Sequence, residues 1–245
     1  MLPRTLEPEL MDTPAEAREY DAMDHAAVNA AFVGDLLRTL LDWSLQWPVQ
    51  TGTTKPGAWG RANASPQNPT LTVVDLGAGT AQIPIELIRR TTNLRITAVD
   101  AAASMLELAH ANIAAVDLTA HVELVLADAK RLPFADAAYD VVISNSILHH
   151  IPDPQTVVAE AIRVTAPGGL LFHRDLARPN DEVTHQKLVA TYAAEATPYQ
   201  RKLFAESLYA ALTVEEMRDL VTRFGFAPDT IQMTSDRHWT WVANK

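Results

Sequence analysis

The sequence predicts an α/β protein in which a mostly parallel, doubly wound sheet of seven strands carries helices on both faces. Two observations lead to this class. From Leu71 onward, short apolar runs recur, and most of them are followed by a segment with helical periodicity. These runs are continuous and not alternating, as expected for parallel strands that are buried on both sides.

The elements follow in a regular order. Residues 13–45 have apolar positions three and four residues apart and predict one helix. Residues 47–69 are rich in Gly, Thr, Pro and Asn, and predict a long loop that is mobile or functional. Five strands are then expected at 71–75, 94–100, 121–126, 139–144 and 170–175, with helices after the first, second and fourth of them.

The C-terminal part is expected to complete the same domain. Two or three helices follow Pro179, and Thr213-Val-Glu-Glu216 has the pattern of a capping box that starts the last of them, with Gly225 at its end. Residues 230–242 alternate and predict an antiparallel hairpin at the sheet edge. The predicted organisation is an N-terminal helical lid (1–46), the loop (47–69), a ligand-binding core (70–179) and the C-terminal completion (180–245).

The composition restricts the function. The chain has 245 residues, 30 acidic against 20 basic side chains, a net charge of −10 and no cysteine. No Lys/Arg cluster is present for a nucleic acid, and no apolar run approaches the roughly 20 residues of a membrane span. The polar, acidic N-terminus resembles neither a signal peptide nor a transit peptide. We expect a cytoplasmic enzyme that acts on a small molecule without a metal, as a monomer or a homodimer.

The most informative segment is the turn after the first strand, Val73-Val-Asp-Leu-Gly-Ala-Gly-Thr-Ala81. Gly77 and Gly79 allow a tight turn and the close approach of a ligand to the following helix. A dinucleotide site would have a third glycine at position 82, where this chain has Gln82. Asp75 would repel a pyrophosphate, whereas it suits the ammonium group of an amino-acid-like ligand, directly or through water.

S-adenosylmethionine carries such an ammonium group, a ribose and an adenine, and no phosphate. Asp100 ends the second strand 23 residues after Gly77, where a carboxylate accepts hydrogen bonds from ribose hydroxyls. Asp128 follows the third strand and suits the adenine amino group, while Ala101 and Met105 offer apolar surface to the ring. The alternatives are helix N-capping for Asp75 and Asp100, a turn start for Asp128 and plain turn glycines.

An ordered set of motifs resembles class I S-adenosylmethionine-dependent methyltransferases, nearest to the C-methyltransferases of ubiquinone and menaquinone biosynthesis. The matching segments are Val74-Asp-Leu-Gly-Ala-Gly-Thr80, Ala98-Val-Asp100 with Met105, Ala127-Asp-Ala129 with Leu132-Pro-Phe134, Asp140-Val-Val-Ile-Ser144 with Leu148-His-His150, and Arg163-Val with Pro167-Gly-Gly169. The chain departs from the pattern at Ala81, where many members have glycine, and at Ala101, where the residue is often polar.

The resemblance implies a Rossmann-like fold, S-adenosylmethionine as cofactor and S-adenosylhomocysteine as product. It places Ser144, Asn145 and Ser146 at the methionine end of the cofactor, with Tyr20 on a lid above it. The cofactor-binding residues expected in all are Asp75, Gly77, Ala78, Gly79, Thr80, Asp100, Ala101, Met105, Asp128, Ala129, Asn145, Ser146 and Tyr20.

The acceptor side is less specific. His149 or His150 suits a general base near the methyl group, or caps the turn before Pro152 and packs on the next helix. A metal interpretation is disfavoured because adjacent histidines are expected to point in different directions and no third ligand is evident.

Arg174 and Arg178 are candidates to bind a substrate carboxylate or phosphate, with a surface ion pair to a neighbouring Asp as the alternative. Trp43, Trp47 and Trp59 are candidates to cover the site or to belong to the core.

The predicted reaction is direct, in-line methyl transfer to a small molecule. The alternatives are methylation of a protein or RNA, a non-enzymatic module that binds S-adenosylmethionine, and a nicotinamide dehydrogenase.

Overall fold

A computed structural model describes residues 2–8, 12–46 and 70–245. The predicted loop at 47–69, with Trp47 and Trp59, lies outside the described residues. The strands are β1 Leu71–Leu76, β2 Leu94–Asp100, β3 Val122–Leu126, β4 Tyr139–Asn145, β5 Thr165–Leu176, β6 Ile231–Met233 and β7 His238–Asn244.

These strands form one seven-stranded sheet in the order β3-β2-β1-β4-β5-β7-β6. Strands β1 to β5 pair in parallel, whereas β7 is antiparallel to both β5 and β6. The predicted mostly parallel sheet with an antiparallel edge hairpin is thus confirmed. Because the strand order reverses between β1 and β4, a crevice opens outside the carboxyl ends of these two strands, where α/β proteins bind ligands.

The helices cover both faces of the sheet. They are α1 Pro14–Asp21, α2 Ala26–Gln46, α3 Gln82–Arg90, α4 Ala103–Ala115, α5 Pro154–Val164, α6 Glu182–Tyr192, α7 Pro198–Ala210 and α8 Val214–Arg223, with short 3₁₀ turns at Leu148–His150 and Pro228–Thr230. Helices α2, α3 and α4 contribute to the apolar core on one face, and α5 and α8 to the core on the other. None of the described helices is both long and apolar enough to cross a membrane.

The N-terminal region differs from the prediction of one continuous helix. The chain breaks between α1 and α2, where the Asp24 carboxylate accepts a hydrogen bond from the backbone N–H of Ala26 at 3.0 Å. Residues 2–8 are not helical. We call them the N-terminal strap, because they lie against α7 and the first 3₁₀ turn: the backbone N–H of Thr5 donates to the Tyr209 carbonyl at 3.1 Å. The expected lid therefore consists of a strap and two helices.

Other local predictions have mixed outcomes. The capping box of α8 is confirmed, since the side chains of Thr213 and Glu216 each accept a hydrogen bond from the other's backbone N–H. Gly225 follows the helix with φ +86°. Strand β5 begins at Thr165 instead of residue 170. Trp43 belongs to the core and donates from Nε1 to the Gly168 carbonyl at 2.9 Å, near the amino end of β5 and away from the crevice.

Candidate functional site

The turn after β1 is held in a conformation that requires its glycines. Gly77 has φ +73° and Gly79 has φ +54°, both in the left-handed region. The backbone N–H groups of Gly77 and Ala78 both donate to the Val99 carbonyl at 2.9 Å. A Cβ on Gly77 would lie 2.8 Å from Cδ1 of Ile147, so the side chain of Ile147 fills the space that a larger residue would need.

Asp100 joins this turn to the end of β2. Its Oδ2 accepts from the backbone N–H of Gly79 at 2.8 Å, and its Oδ1 accepts from that of Ala102 at 2.9 Å. Burial raises the pKa of Asp100, while the backbone N–H groups and the charge of His150 oppose the rise. The carboxylate is thus fixed at the carboxyl edge of the sheet, directly beside the glycine turn.

Asp75 is the least satisfied acid of the crevice. It is 2% exposed, and no described residue donates a hydrogen bond to its carboxylate. Burial and then the charge of Asp100 raise the pKa of Asp75 to about 8. The N-capping interpretation of Asp75 is wrong, because Ala81 occupies the N-cap of α3 and no side chain caps that helix.

Two further polar atoms of the crevice are buried without a partner among the described residues. They are Oγ1 of Thr80 and Oδ1 of Asn145. Ser146 follows Asn145 with φ +61° and donates its backbone N–H to the Arg174 carbonyl at 2.8 Å. Buried polar groups are normally paired, so these orphan atoms and the Asp75 carboxylate indicate that a polar, cationic ligand belongs here.

Tyr20 of α1 lies over the glycine turn. Its Cε1 is 3.5 Å from the position that a Cβ on Gly79 would take, and its ring packs on the small cluster formed by Ala17, Ala102 and Met105. Burial and the charges of the neighbouring acids raise the pKa of Tyr20 to about 12, so the phenol stays protonated. Helix α1 therefore lies over the glycine turn through Tyr20, and its action as a lid stays a prediction.

The remaining cofactor candidates lie around the same edge. Ala78 and Ala101 are partly buried and Ala129 is buried in the core. Asp128 has a side chain that is 48% exposed, and it forms an ion pair with Nζ of Lys130 at 3.0 Å and accepts from the backbone N–H of Lys130 at 2.8 Å. This geometry is that of a turn start, and adenine recognition by Asp128 stays a prediction.

His149 is held inside the protein on both sides of its ring. Its Nδ1 lies 2.5 Å from Oδ1 of Asp175, and its Nε2 lies 3.4 Å from Oε1 of Glu7. The side chain is 4% exposed. Burial lowers the pKa of His149, but the carboxylates of Asp175 and Glu7 outweigh it and raise the pKa overall. With a carboxylate beside each nitrogen, this imidazole favours its protonated form and has no free nitrogen for the proton of an acceptor.

His150 is engaged on one side only. Its Nδ1 lies 3.0 Å from Oε1 of Glu7, no described residue contacts Nε2, and the side chain is 20% exposed. The rings of His149 and His150 have centroids 4.1 Å apart, and both contact Glu7. The expectation that the two rings point apart without a third potential ligand is therefore wrong, since the three ligand atoms lie within 4.8 Å of one another.

The two arginine candidates are tied to other parts of the chain. Arg174 pairs with Asp35 at 2.5 Å and donates from Nε to Thr240 Oγ1 at 2.9 Å, which connects β5 to α2 and β7. Arg178 pairs with Glu216 at 2.5 Å, while its Nε is buried without a partner among the described residues. Both are 6% exposed. In this structure they form internal ion pairs with residues that are distant in sequence, and not the surface pairs with a neighbouring Asp that were the alternative interpretation.

Sequence reasoning missed three residues of this site. Asp175 is the penultimate residue of β5, so its position at the same sheet edge as His149 was a usable signal. Ile147 had only its place after β4 as a signal. No sequence signal pointed to Glu7, because the histidines that it contacts lie more than 140 residues away in sequence and the contacts depend on the path of the strap.

Residues 74–173 match a family model described as a methyltransferase domain. Demethylmenaquinone methyltransferase of Desulfitobacterium hafniense is 34% identical over 151 residues, which cover 59% of this chain and 54% of that protein. The 27-O-demethylrifamycin SV methyltransferase of Amycolatopsis mediterranei is 26% identical over 177 residues, which cover 71% of this chain and 61% of that protein. The chain thus spans little more than half the length of these relatives.

Among solved structures, the plantazolicin methyltransferase BpumL, in complex with a triazolic desmethylPZN analog and SAH, is similar over 95% of this chain and 91% of its own. The TM-score is 0.64 and the sequence identity is 13%. At that identity the likeness concerns the fold. The predicted Rossmann-like fold is thereby confirmed.

Proposed function

We propose that residues 74–173, which match a family model described as a methyltransferase domain, form a class I S-adenosylmethionine-dependent methyltransferase core of the ubiquinone/menaquinone C-methyltransferase type and that this chain methylates a small molecule. The observation that carries the proposal is the Asp75 carboxylate, which is buried at the carboxyl edge of β1 without a donor among the described residues. A ligand with a positive charge and no phosphate satisfies this group, whereas a dinucleotide does not.

The residues of the crevice suit the parts of S-adenosylmethionine. Asp75 would bind the ammonium group, and Asp100 would accept from the ribose hydroxyls while it holds Gly79 in place. Asn145 and Thr80 would pair their orphan oxygens with the polar methionine end. Tyr20 would close the site from α1 and exclude water. When bound, S-adenosylmethionine supplies a methyl group that is already activated by its sulfonium.

The chain's own contribution to the reaction is alignment and removal of a proton. We assign the proton to Nε2 of His150, because this nitrogen has no described partner and its ring is partly exposed. His149 is assigned a structural role, because Asp175 and Glu7 engage both of its nitrogens. A base is needed when the acceptor is a hydroxyl or a carbon acid, and these are the acceptor classes that we propose.

One named relative is described as a demethylmenaquinone methyltransferase and the other as a 27-O-demethylrifamycin SV methyltransferase, a name that places the methyl group on an oxygen. The proposal extends to a cytoplasmic location, because a chain without cysteines needs no oxidising compartment. Nucleic acid is an unsuitable acceptor for a chain with a net charge of −10.

The test is turnover of isotopically labelled S-adenosylmethionine with a panel of hydroquinones, phenols, hydroxylated polyketides and amines, followed by mass spectrometry of product and S-adenosylhomocysteine. We expect methylation of a hydroxyl or acidic carbon. Tight binding of S-adenosylhomocysteine with no turnover on any acceptor would contradict the proposal and favour a binding module. Thermal stabilisation by NAD alone would contradict the cofactor assignment.

The two adjacent histidines provide a matched pair of variants. His150→Asn is expected to lower kcat by about 100-fold or more with little change in melting temperature, as for loss of a general base. His149→Asn is expected to lower mainly the melting temperature and to affect kcat less than His150→Asn does. The reason is that it leaves the carboxylate of Asp175 buried with one partner fewer. The opposite pattern would assign the base to His149.

A further inference from the structure

The N-terminal strap brings a carboxylate to the candidate base. Glu7 lies 3.0 Å from Nδ1 of His150 through its Oε1, and its own side chain is only 7% exposed. Ser207 of α7 donates to the same carboxylate, at 3.1 Å to Oε2. The carboxylate is thus held between α7 and the 3₁₀ turn.

The strap itself is anchored independently of Glu7. The Arg4 guanidinium donates to the Ala210 carbonyl at 2.7 Å and to the Ile151 carbonyl at 2.9 Å, and so connects the end of α7 to the residue after the 3₁₀ turn. The Thr5 N–H bond to Tyr209 adds a backbone contact to α7. These bonds hold the strap in place without any contribution from the contacts between Glu7 and the histidines.

The charge state of Glu7 determines which nitrogen of His150 carries the hydrogen. Burial raises the pKa of Glu7, but its bonds to His150 and Ser207 and the charges of both histidines lower it overall, so Glu7 is ionised. An ionised carboxylate only accepts hydrogen bonds. Nδ1 of His150 must therefore be the donor in either protonation state of the ring, and when the ring is neutral its lone pair lies on Nε2.

We propose that Glu7 is a positioning residue for methyl transfer: it accepts a hydrogen bond from Nδ1–H of His150 and so presents Nε2 to the proton of the acceptor. The inference rests on the proposed function, since it assigns an orienting group to the same base. The proton passes from the acceptor's hydroxyl or carbon to Nε2, which forms an imidazolium beside the Glu7 carboxylate. The charges of Asp100 and Asp175 act on the same ring, and Glu7 is the carboxylate that contacts it directly among the described residues.

The first experiment needs no acceptor. Long-range ¹H–¹⁵N spectra of the histidine side chains, recorded on the full chain with S-adenosylhomocysteine, report which nitrogen of each ring is protonated, and His150→Asn identifies the signals. We expect His150 as the Nδ1–H tautomer in the parent protein and loss of that preference in Glu7→Ala. The matched control is Arg4→Ala, which weakens the anchoring of the strap and leaves the carboxylate present.

The second experiment uses an acceptor found with the panel. Glu7→Ala is expected to lower kcat about 10- to 100-fold while KM and the affinity for S-adenosylhomocysteine change less than about threefold. The double variant Glu7→Ala/His150→Asn is expected to be no slower than His150→Asn alone, because the two groups act as one unit. Glu7→Asp should recover part of the rate.

Three results would overturn the inference. An unchanged tautomer in Glu7→Ala would show that the carboxylate does not orient the ring. Multiplicative losses of kcat in the double variant would show that Glu7 acts apart from His150. Loss of activity with a chelator and recovery with Zn²⁺ would show that Glu7, His149 and His150 bind a metal instead. If no acceptor turns over, the proposed function fails by its own test, and the tautomer still decides the role of Glu7.

Discussion

Binding of S-adenosylhomocysteine should weaken about tenfold for each pH unit below 7, because Asp75 must lose its proton to bind the ligand's ammonium group. Burial and the charge of Asp100 raise the pKa of Asp75 to about 8. At pH 7, roughly one site in ten then carries the carboxylate, and at pH 6 roughly one in a hundred. The affinity thus rises with pH and reaches a plateau above about pH 8. For each pH unit below that plateau, the binding free energy becomes less favourable by about 1.4 kcal/mol.

The assay is isothermal titration calorimetry between pH 6 and 7.5, where the ligand keeps its ammonium group protonated. Titration in two buffers that differ in ionisation enthalpy should reveal release of about one proton for each ligand bound at the acidic end of this range. The direct control ligand is 5′-methylthioadenosine, which retains the adenine and the ribose but lacks the amino acid. Because the ribose of 5′-methylthioadenosine is still expected to contact Asp100, the pH dependence of its affinity measures the contribution of Asp100 separately from that of Asp75.

The matched variant is Asp75→Asn, which keeps the size of the side chain and removes its titration. Its affinity for S-adenosylhomocysteine should lose most of the pH dependence. Equal pH dependence for the two ligands would refute the argument, because it would assign the proton to a group outside the ammonium site. Affinity for S-adenosylhomocysteine that stays constant within a factor of two from pH 6 to 7.5 would show that the Asp75 carboxylate is already ionised or does not contact the ligand.

Three further predictions concern the surroundings of this pocket. Gly77→Ala should destabilise the fold by about 1–3 kcal/mol more than Gly225→Ala in chemical denaturation, because both have positive φ but only a Cβ on Gly77 meets a neighbouring side chain; equal losses would contradict the clash. Asp100→Ala should weaken S-adenosylhomocysteine binding by about 1–3 kcal/mol in calorimetry, and unchanged affinity would remove Asp100 from the site. Asp35→Ala should lower stability by about 1–2 kcal/mol, because it leaves the Arg174 guanidinium buried with one partner fewer while Asp35 itself is one third exposed; a neutral effect in thermal denaturation would contradict that link.

The fold was largely predictable from the sequence because its signals are local. Each parallel strand is a short apolar run, and the capping pattern at Thr213 marks the start of α8 without tertiary information. The errors occur where a local pattern was not sufficient. The apolar periodicity of residues 13–45 continues through the break at Asp24, where a side-chain cap and not hydrophobicity starts a new helix. The early start of β5 depends on pairing between Tyr139 and Thr165, which no local pattern reports.

The proximity of the acidic strand ends was predictable for the same reason, and the contacts of the two histidines were not. Asp75 and Asp100 follow strands that are adjacent in any sheet of this type, so sequence order alone brings them together. By contrast, the difference between His149 and His150 depends on which ring faces Asp175 and which is left with a free nitrogen. That difference arises from the path of the strap, and the sequence carries no local mark of it.

The family match covers residues 74–173, which include the glycine turn, the acidic strand ends and both histidines, whereas Glu7 and Ser207 lie outside it. A base within the shared segment can therefore be oriented by groups from outside that segment. Exchange of the strap, with α7 as its support, would change the orientation of the base and the shape of the acceptor side without any change in the cofactor pocket. We therefore expect Glu7 variants to change kcat with little effect on the affinity for S-adenosylhomocysteine, and Asp75 variants to change that affinity through the loss of the charge beside the ligand's ammonium group.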